Sequence, residues 1–415
     1  MLNESTWQFV RLHTDDDIRQ LALQGCKDKR VNLSLALQQI QGRQTARRKL
    51  PTWAAKEYIV YPQHLSLEQC SSERTARYKA DIAHKLCADA EKGARLVDLT
   101  GGFGVDFAVM SEVYAEAVYV ERQPELHAIV RANLQTLGLQ HATAVCADAV
   151  DYLHHISHAS LIFIDPARRD SQGARTFGIS DCTPDVLPLI DELLLKADHV
   201  MLKLSPMLDW RKAVADVGIE HVEQIHIVAV EGECKELLLV LSAQGSPRPE
   251  LFCVNDDQAE AFLLEPIGRP IGPMRPMRPI GPIGPMSPID PMGLGPFLYE
   301  PHAALMKAGV FRQLEERYGV TQLAANSHLF VSAERVGDFP GRIFRITAVS
   351  TMNKRELKEK ILPLGQANIA VRNFPLTVAE LRRRLKLGEG GGNYIFATTL
   401  ATGERVLLSC RRITP

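Results

Sequence analysis

Four acids and a group of glycines carry the chemistry this sequence could do. Leu96 to Asp106 reads LVDLTGGFGVD: an apolar strand containing Asp98, a turn holding Gly101, Gly102 and Gly104, then a helix. Glycine permits positive φ and lets backbone amides approach a ligand closely, because no Cβ intervenes. The next apolar run, AVYVE, ends on Glu121, where a carboxylate could accept both hydroxyls of a ribose. A nucleotide-like cofactor is the ligand such a turn and acid would hold. The dinucleotide pattern G-x-G-x-x-G fails because Phe107 takes the last glycine's place, and no Gly-Lys-Ser/Thr follows to hold ATP phosphates. Two further apolar runs lead to acids: ATAVC precedes Asp148 in CADAVDYL, and LIFID closes on Asp165 followed by Pro166 in IDPARRD.

These acids converge only if parallel strands present their ends along one edge. From Arg95 to about Ala243 strand and helix patterns alternate, which predicts an α/β open sheet with helices on both faces. Its strands fall near 95–99, 117–121, 142–146, 160–164 and 198–204. VEQIHIVAVE and CKELLLVLS lie too close together for a crossover helix and are predicted antiparallel. Residues 1–93 show apolar positions three and four apart, broken at Pro51 and Pro62, and predict a helical domain or cap. Residues 94–245 form the sheet domain. Residues 246–296 predict a linker, whose Pro-, Gly- and Met-rich tract 265–296 is polyproline-like or disordered, and whose P-x-x-P steps could also be read by proline-binding domains. Residues 297–415 predict an α+β domain: IFRITAVS, ANIAVRNF, NYIFATT and RVLLSCR as strands around the helix TVAELRRRLKL, the last two forming a hairpin.

At 415 residues, 46% hydrophobic and 23% charged, the chain suits a soluble protein of two or three domains. No run reads as a membrane span, and the N-terminus lacks a signal-peptide pattern, so a cytoplasmic location is expected. Eight cysteines without a C-x-x-C suit reduced thiols rather than disulfides or zinc, and no metal is expected. Net charge of −1 argues against a generic nucleic-acid glove. The distribution differs: residues 300–415 hold 18 Lys+Arg against 10 Asp+Glu. That basic excess suits RNA, with a merely solvated face as the alternative. Oligomeric state is left open, with a monomer the simpler reading.

Asp98 to Gly104, Glu121, Asp148 and Asp165-Pro166, in this order and spacing, resemble the motifs of class I S-adenosylmethionine (SAM) methyltransferases. LEQCSSERTARYKA (67–80, read as a helix), KLSPMLD, FLYEP, DFPGR, VRNFPL and GGNYIFATT narrow this: the chain resembles bacterial methyltransferase-like proteins with a THUMP-like C-terminal domain. The resemblance implies a Rossmann-like, seven-stranded sheet whose last strand inserts antiparallel. It implies SAM as cofactor, held by Asp98, Thr100, Gly101, Gly102, Phe103, Gly104, Asp106, Glu121, Arg122, Asp148, Ala149 and Asp165. Within that set Asp98 would hold the ammonium and Glu121 the ribose, while Asp148 could accept from the adenine amino group, serve only as a helix cap, or do both. Gln69, Ser71, Ser72 and Thr75 could close over the cofactor or merely cap a helix.

Asp165 and Pro166 would stand at the chemistry. In amino-methylating relatives an aromatic residue completes this motif and stacks on the target base; Ala167 and Arg168 occupy that place here. No cysteine follows Pro166, which disfavours covalent carbon-5 methylation. Arg168 and Arg169 could grip a phosphate or carboxylate, or pair with Asp170 at the surface. Lys203 in HVMLKLSP, with Asp165 and Glu231, could form an acid-base group that deprotonates a hydroxyl. Such a group is similar to that of ribose 2′-O-methyltransferases, whose second lysine Lys79 or Lys92 could supply; a structural Lys–Asp pair is the alternative. The implied activity is SAM-dependent methylation of RNA, with Arg382, Arg383, Arg384 and Lys386 contacting the substrate. Methylation of a small molecule or protein, and a SAM-binding but catalytically silent RNA adaptor, are the competing readings.

Overall fold

Residues 2–87, 93–168, 178–264 and 293–414 are described by the computed structural model. Lys92, Arg169, Asp170 and the proline-rich stretch 265–292, with the second-lysine, anion-gripping and polyproline-like roles expected of them, lie outside the described residues. Arg168 is described by its backbone alone.

Short apolar runs punctuated by acids and glycines become the strands Arg95–Asp98, Glu116–Val120, Ala142–Val145, Ala159–Ile164 and Ala197–Leu204. They pair in parallel, and the central ones are buried over most of their length, with Leu96, Val97, Leu161 to Ile164 and Val200 to Leu202 filling both faces. Glu233–Leu241 pairs antiparallel with Ala197–Leu204, as expected of the inserted last strand. The sheet has nine strands where seven were expected. Across it the order is 258–263, 250–255, 222–230, 233–241, 197–204, 159–164, 95–98, 116–120, 142–145.

The two additional strands, Glu250–Asn255 and Gln258–Leu263, come from the segment read as linker. Leu251 and Cys253 are fully buried, alternating as one face of a strand, and Asp256 takes φ +56° in the turn. An aspartate tolerating positive φ there is the hairpin signal that the linker reading overlooked.

The chain divides into two compact units, 1–226 with 236–249, and 227–235 with 250–415. In the first, the N-terminal helices share a unit with the sheet rather than forming one of their own. Asn133, fully buried, accepts from the Val60 amide at 2.8 Å and donates to its carbonyl at 2.9 Å, fastening residues near 60 to helix Pro124–Leu137. The helix expected over 67–80 is interrupted. Helix His64–Gln69 stops at Cys70, which is extended, and Glu73–Cys87 begins after Ser72, whose hydroxyl accepts from the Thr75 amide at 3.2 Å. Capping by Ser72 breaks the periodic pattern there.

The second unit contains a seven-stranded sheet in the order 321–322, 330–332, 297–301, 341–350, 405–413, 393–399, 368–372. The expected hairpin is present between Asn393–Thr399 and Arg405–Ile413. Helix Val378–Leu385 starts at a Thr377/Glu380 capping box and buries Leu381 and Leu385. No helix among the described residues is long and apolar enough to cross a membrane.

Candidate active site

The glycine turn is built by close approach. A Cβ on Gly101 would lie 2.0 Å from a ring carbon of Tyr119, and one on Gly104, at φ +78°, would lie 2.8 Å from Val130. The Gly101 amide donates to the Val120 carbonyl at 2.9 Å, and the Tyr119 hydroxyl donates to the Gly102 carbonyl at 2.5 Å. Glu121, buried at the end of its strand, accepts from the amides of Gly102 at 3.1 Å and Gln123 at 2.8 Å. Its carboxylate therefore sets the turn and keeps lone pairs for a ligand. Phe103 is turned inward, its ring 5.1 Å from that of Trp53, so this expected cofactor residue is a core residue that anchors the turn to the N-terminal helices. Arg122 is exposed. Asp148 is exposed and caps helix Ala149–His155 through the Val150 amide at 2.9 Å, which places Ala149 in the first turn.

Asp98 is 1% exposed, and its Oδ1 accepts from the Thr100 amide at 2.9 Å. Burial holds its pKa well above the ordinary carboxylate range. The Thr100 amide pulls the other way, Asp106 and Asp165 add to the rise, and Lys203 offsets it in part. The Thr100 hydroxyl accepts from the Asp165 amide at 2.6 Å, tying together the ends of the first and fourth strands.

Beside this lies a network of buried charge centred on Ser71. Lys203 Nζ stands 2.7 Å from Asp165 Oδ2, 3.0 Å from Ser71 Oγ and 3.3 Å from Asp106 Oδ2. Lys79 Nζ pairs closely with Glu236 Oε2, and lies 3.2 Å from Asp106 Oδ1 and 3.3 Å from Ser71 Oγ. Ser71 Oγ is in turn 2.7 Å from Asp106 Oδ2 and 3.1 Å from Glu236 Oε1. Lys79 has no exposed surface, and Asp165 is the most open member, with 38% of its side chain exposed. Burial alone would depress the pKa of Lys203. Asp165, Asp106 and Glu236 overturn this and hold it well above its usual value, so Lys203 is a cation.

The expected grouping of Asp165 with Lys203 is present, and Lys79 joins it. Asp106, expected on the cofactor, is paired with both lysines instead. Glu231 does not take part. It occupies the turn between strands 222–230 and 233–241, at φ +53°, in the second unit, and Glu236 fills the acidic position. The signal for Glu236 was its place ahead of LLLVL in the inserted strand: an antiparallel strand brings its beginning, not its end, to the edge where parallel strands finish. Pro166 is buried, and Arg168 pairs by its backbone with Cys182 in a two-residue ribbon. In the second unit Arg383, Arg384 and Lys386 are exposed, whereas Arg382 donates to the carbonyls of Gly388 at 2.9 Å and Ala367 at 3.3 Å. Arg382 therefore braces the domain rather than standing free for a substrate.

Family models match residues 341–412 as THUMP domain-like and 297–340 as a ferredoxin-like domain. The crystal structure of a protein named as a methyltransferase from Porphyromonas gingivalis W83 superimposes with a TM-score of 0.83, covering 100% of both chains at 30% identity. The chain belongs to this family of SAM-dependent methyltransferases with a THUMP-like C-terminal domain. An S-adenosylmethionine-dependent methyltransferase of Mycobacterium tuberculosis H37Rv is 27% identical to it over 82% of this chain and 84% of its own. The ribosomal RNA small subunit methyltransferase J of Legionella pneumophila Philadelphia 1 is 29% identical over 83 residues, 18% of this methyltransferase and 34% of the relative.

The residues fit SAM. The buried Asp98 carboxyl lacks full countercharge, the turn has no room for a Cβ at Gly101, and Glu121, fixed by the Gly102 and Gln123 amides, keeps acceptor capacity for hydroxyl donors. SAM supplies a methyl group already activated on a sulfonium.

Proposed function

We propose that this methyltransferase acts on RNA. The observation that carries the reading is the exposed basic face Arg383, Arg384 and Lys386 in the THUMP-like region, within residues 300–415 that hold 18 Lys+Arg against 10 Asp+Glu, and the partial likeness to a ribosomal RNA methyltransferase supports it. Phosphate contacts of this kind supply affinity without reading sequence. In the first unit Asp98 holds the cofactor's ammonium, Glu121 its ribose hydroxyls and Asp148 the adenine amino group, while Asp165 meets the acceptor. Catalysis is then chiefly alignment of an in-line nucleophile and removal of its proton.

Three tests follow from these placements. Replacing Arg383, Arg384 and Lys386 by Gln is expected to weaken RNA binding and to flatten its salt dependence by up to about 0.7 per lost phosphate contact for single-stranded RNA. A titration series across salt concentrations checks this, and an unchanged slope removes RNA docking from this helix. Gly101→Ala forces Tyr119 aside at a cost of about 1–3 kcal/mol, expected as weaker SAM binding in calorimetry.

The third test concerns pH. With its pKa raised, Asp98 in the free protein stays protonated above the usual carboxylate range, yet holding a cation requires it ionised. SAM binding therefore releases a proton, and affinity rises as pH rises through the elevated pKa. Calorimetry in buffers of different ionisation enthalpy should report that release in the wild type and its loss in Asp98→Asn.

A further inference from the structure

We propose that the methyl acceptor is a hydroxyl oxygen, in RNA the ribose 2′-hydroxyl, and that Asp165 takes its proton. This rests on the methyl-transfer reading above and adds the acceptor atom. An ammonium has three protons, and the three contacts of Lys203, to Asp165, Ser71 and Asp106, use all of them. Lys203 is therefore a positioning residue: it pins Oδ2 of Asp165, while 38% of that side chain remains open to solvent.

A carboxylate with one oxygen pinned and part of its surface open to solvent suits an acceptor with a single proton to lose. An exocyclic base amine brings two hydrogens and a ring that needs a platform. Pro166 is buried, and neither Ala167 nor Arg168 supplies an aromatic ring.

The step also balances in charge. Lys79, Lys203, Asp106, Asp165 and Glu236 carry two positive charges against three negative ones when all are ionised. The excess of one negative charge matches the sulfonium before transfer and a proton after it. In the step the acceptor O–H bond breaks and its oxygen bonds the methyl carbon. The S–CH3 bond breaks with its electron pair left on a neutral thioether, and the proton passes to Asp165. The site's total charge is the same on both sides of the step. A cationic lysine paired with Asp165 also stabilises negative charge developing on oxygen, whereas it would oppose the positive charge an attacking amine acquires.

Partial desolvation raises the Asp165 pKa against the pull of Lys203, with Asp106 and Glu236 adding to the rise, which moves this base toward working pH.

The test uses the full chain, methyl-labelled SAM and RNA from a strain lacking the protein, with the product digested to nucleosides and fragmented by mass spectrometry. Label that stays with the ribose when the base is lost is the expected result; label that stays with the base overturns the inference and leaves methyl transfer to RNA standing. No label in RNA overturns both. A second readout needs no cofactor: in protein carrying carbon-13-labelled aspartate, Lys203→Met should raise the Asp165 pKa and Lys203→Arg should restore it in part. An Asp165 pKa indifferent to both substitutions overturns the positioning role. Lys203→Arg keeps the charge should the Met variant fold poorly.

Discussion

Asp165→Asn is expected to lower kcat for methyl transfer by about 10²–10⁴-fold, the usual worth of a positioned base. Asn is nearly isosteric with Asp and can still accept from Lys203 at the 2.7 Å position, so the loss should fall on proton removal rather than on folding. The measurement is single-turnover kinetics across pH, with circular dichroism as the control for structure. A variant retaining wild-type kcat would show that Asp165 serves Lys203 as a structural partner only, the alternative that the sequence left open.

Lys79→Met is the substitution with the largest expected effect on stability. Its ammonium has no exposed surface and faces Glu236 and Asp106, so its removal leaves buried carboxylates short of countercharge at a cost of about 3–5 kcal/mol. Urea unfolding should show the midpoint falling at unchanged slope. Pairing it with Glu236→Leu should recover much of the loss, because replacing both members of a buried pair by apolar groups is often close to neutral. Asp106 keeps Lys203 and Ser71 in that double variant. If Lys79→Met alone unfolds at the wild-type midpoint, the buried network does not hold this unit together.

Much of the first unit was legible because its signals are local. Apolar runs closed by Asp98, Glu121 and Asp165 set the parallel strands to within a residue or so, and Gly101 and Gly104 announced the turn whose crowding against Tyr119 and Val130 admits no side chain. What escaped depends on strand order or on contacts far along the chain. Glu231 and Glu236 both flank apolar runs, and only the antiparallel insertion of strand 233–241 decides between them. Ser71 looked like a cofactor lid or a helix cap; its neighbour Ser72 does the capping, which frees Ser71 to sit among charges from residues as distant as Glu236. Phe103 lies in a motif that suggests ligand contact, but Trp53 from the N-terminal helices covers it. Arg382 to Lys386 read as one basic stripe, yet helical geometry turns Arg382 back onto the Gly388 carbonyl and leaves the others exposed.

Whether Asp98, Glu121, Asp165 and the charges around Ser71 serve methyl transfer to RNA is decided most directly by incubating the full-length protein with methyl-tritiated SAM and total RNA from a strain lacking it. Tritium should enter RNA, survive protease treatment, and be lost with Asp165→Asn. Cofactor binding without transfer to RNA, or label recovered only in protein or small molecules, would contradict this reading.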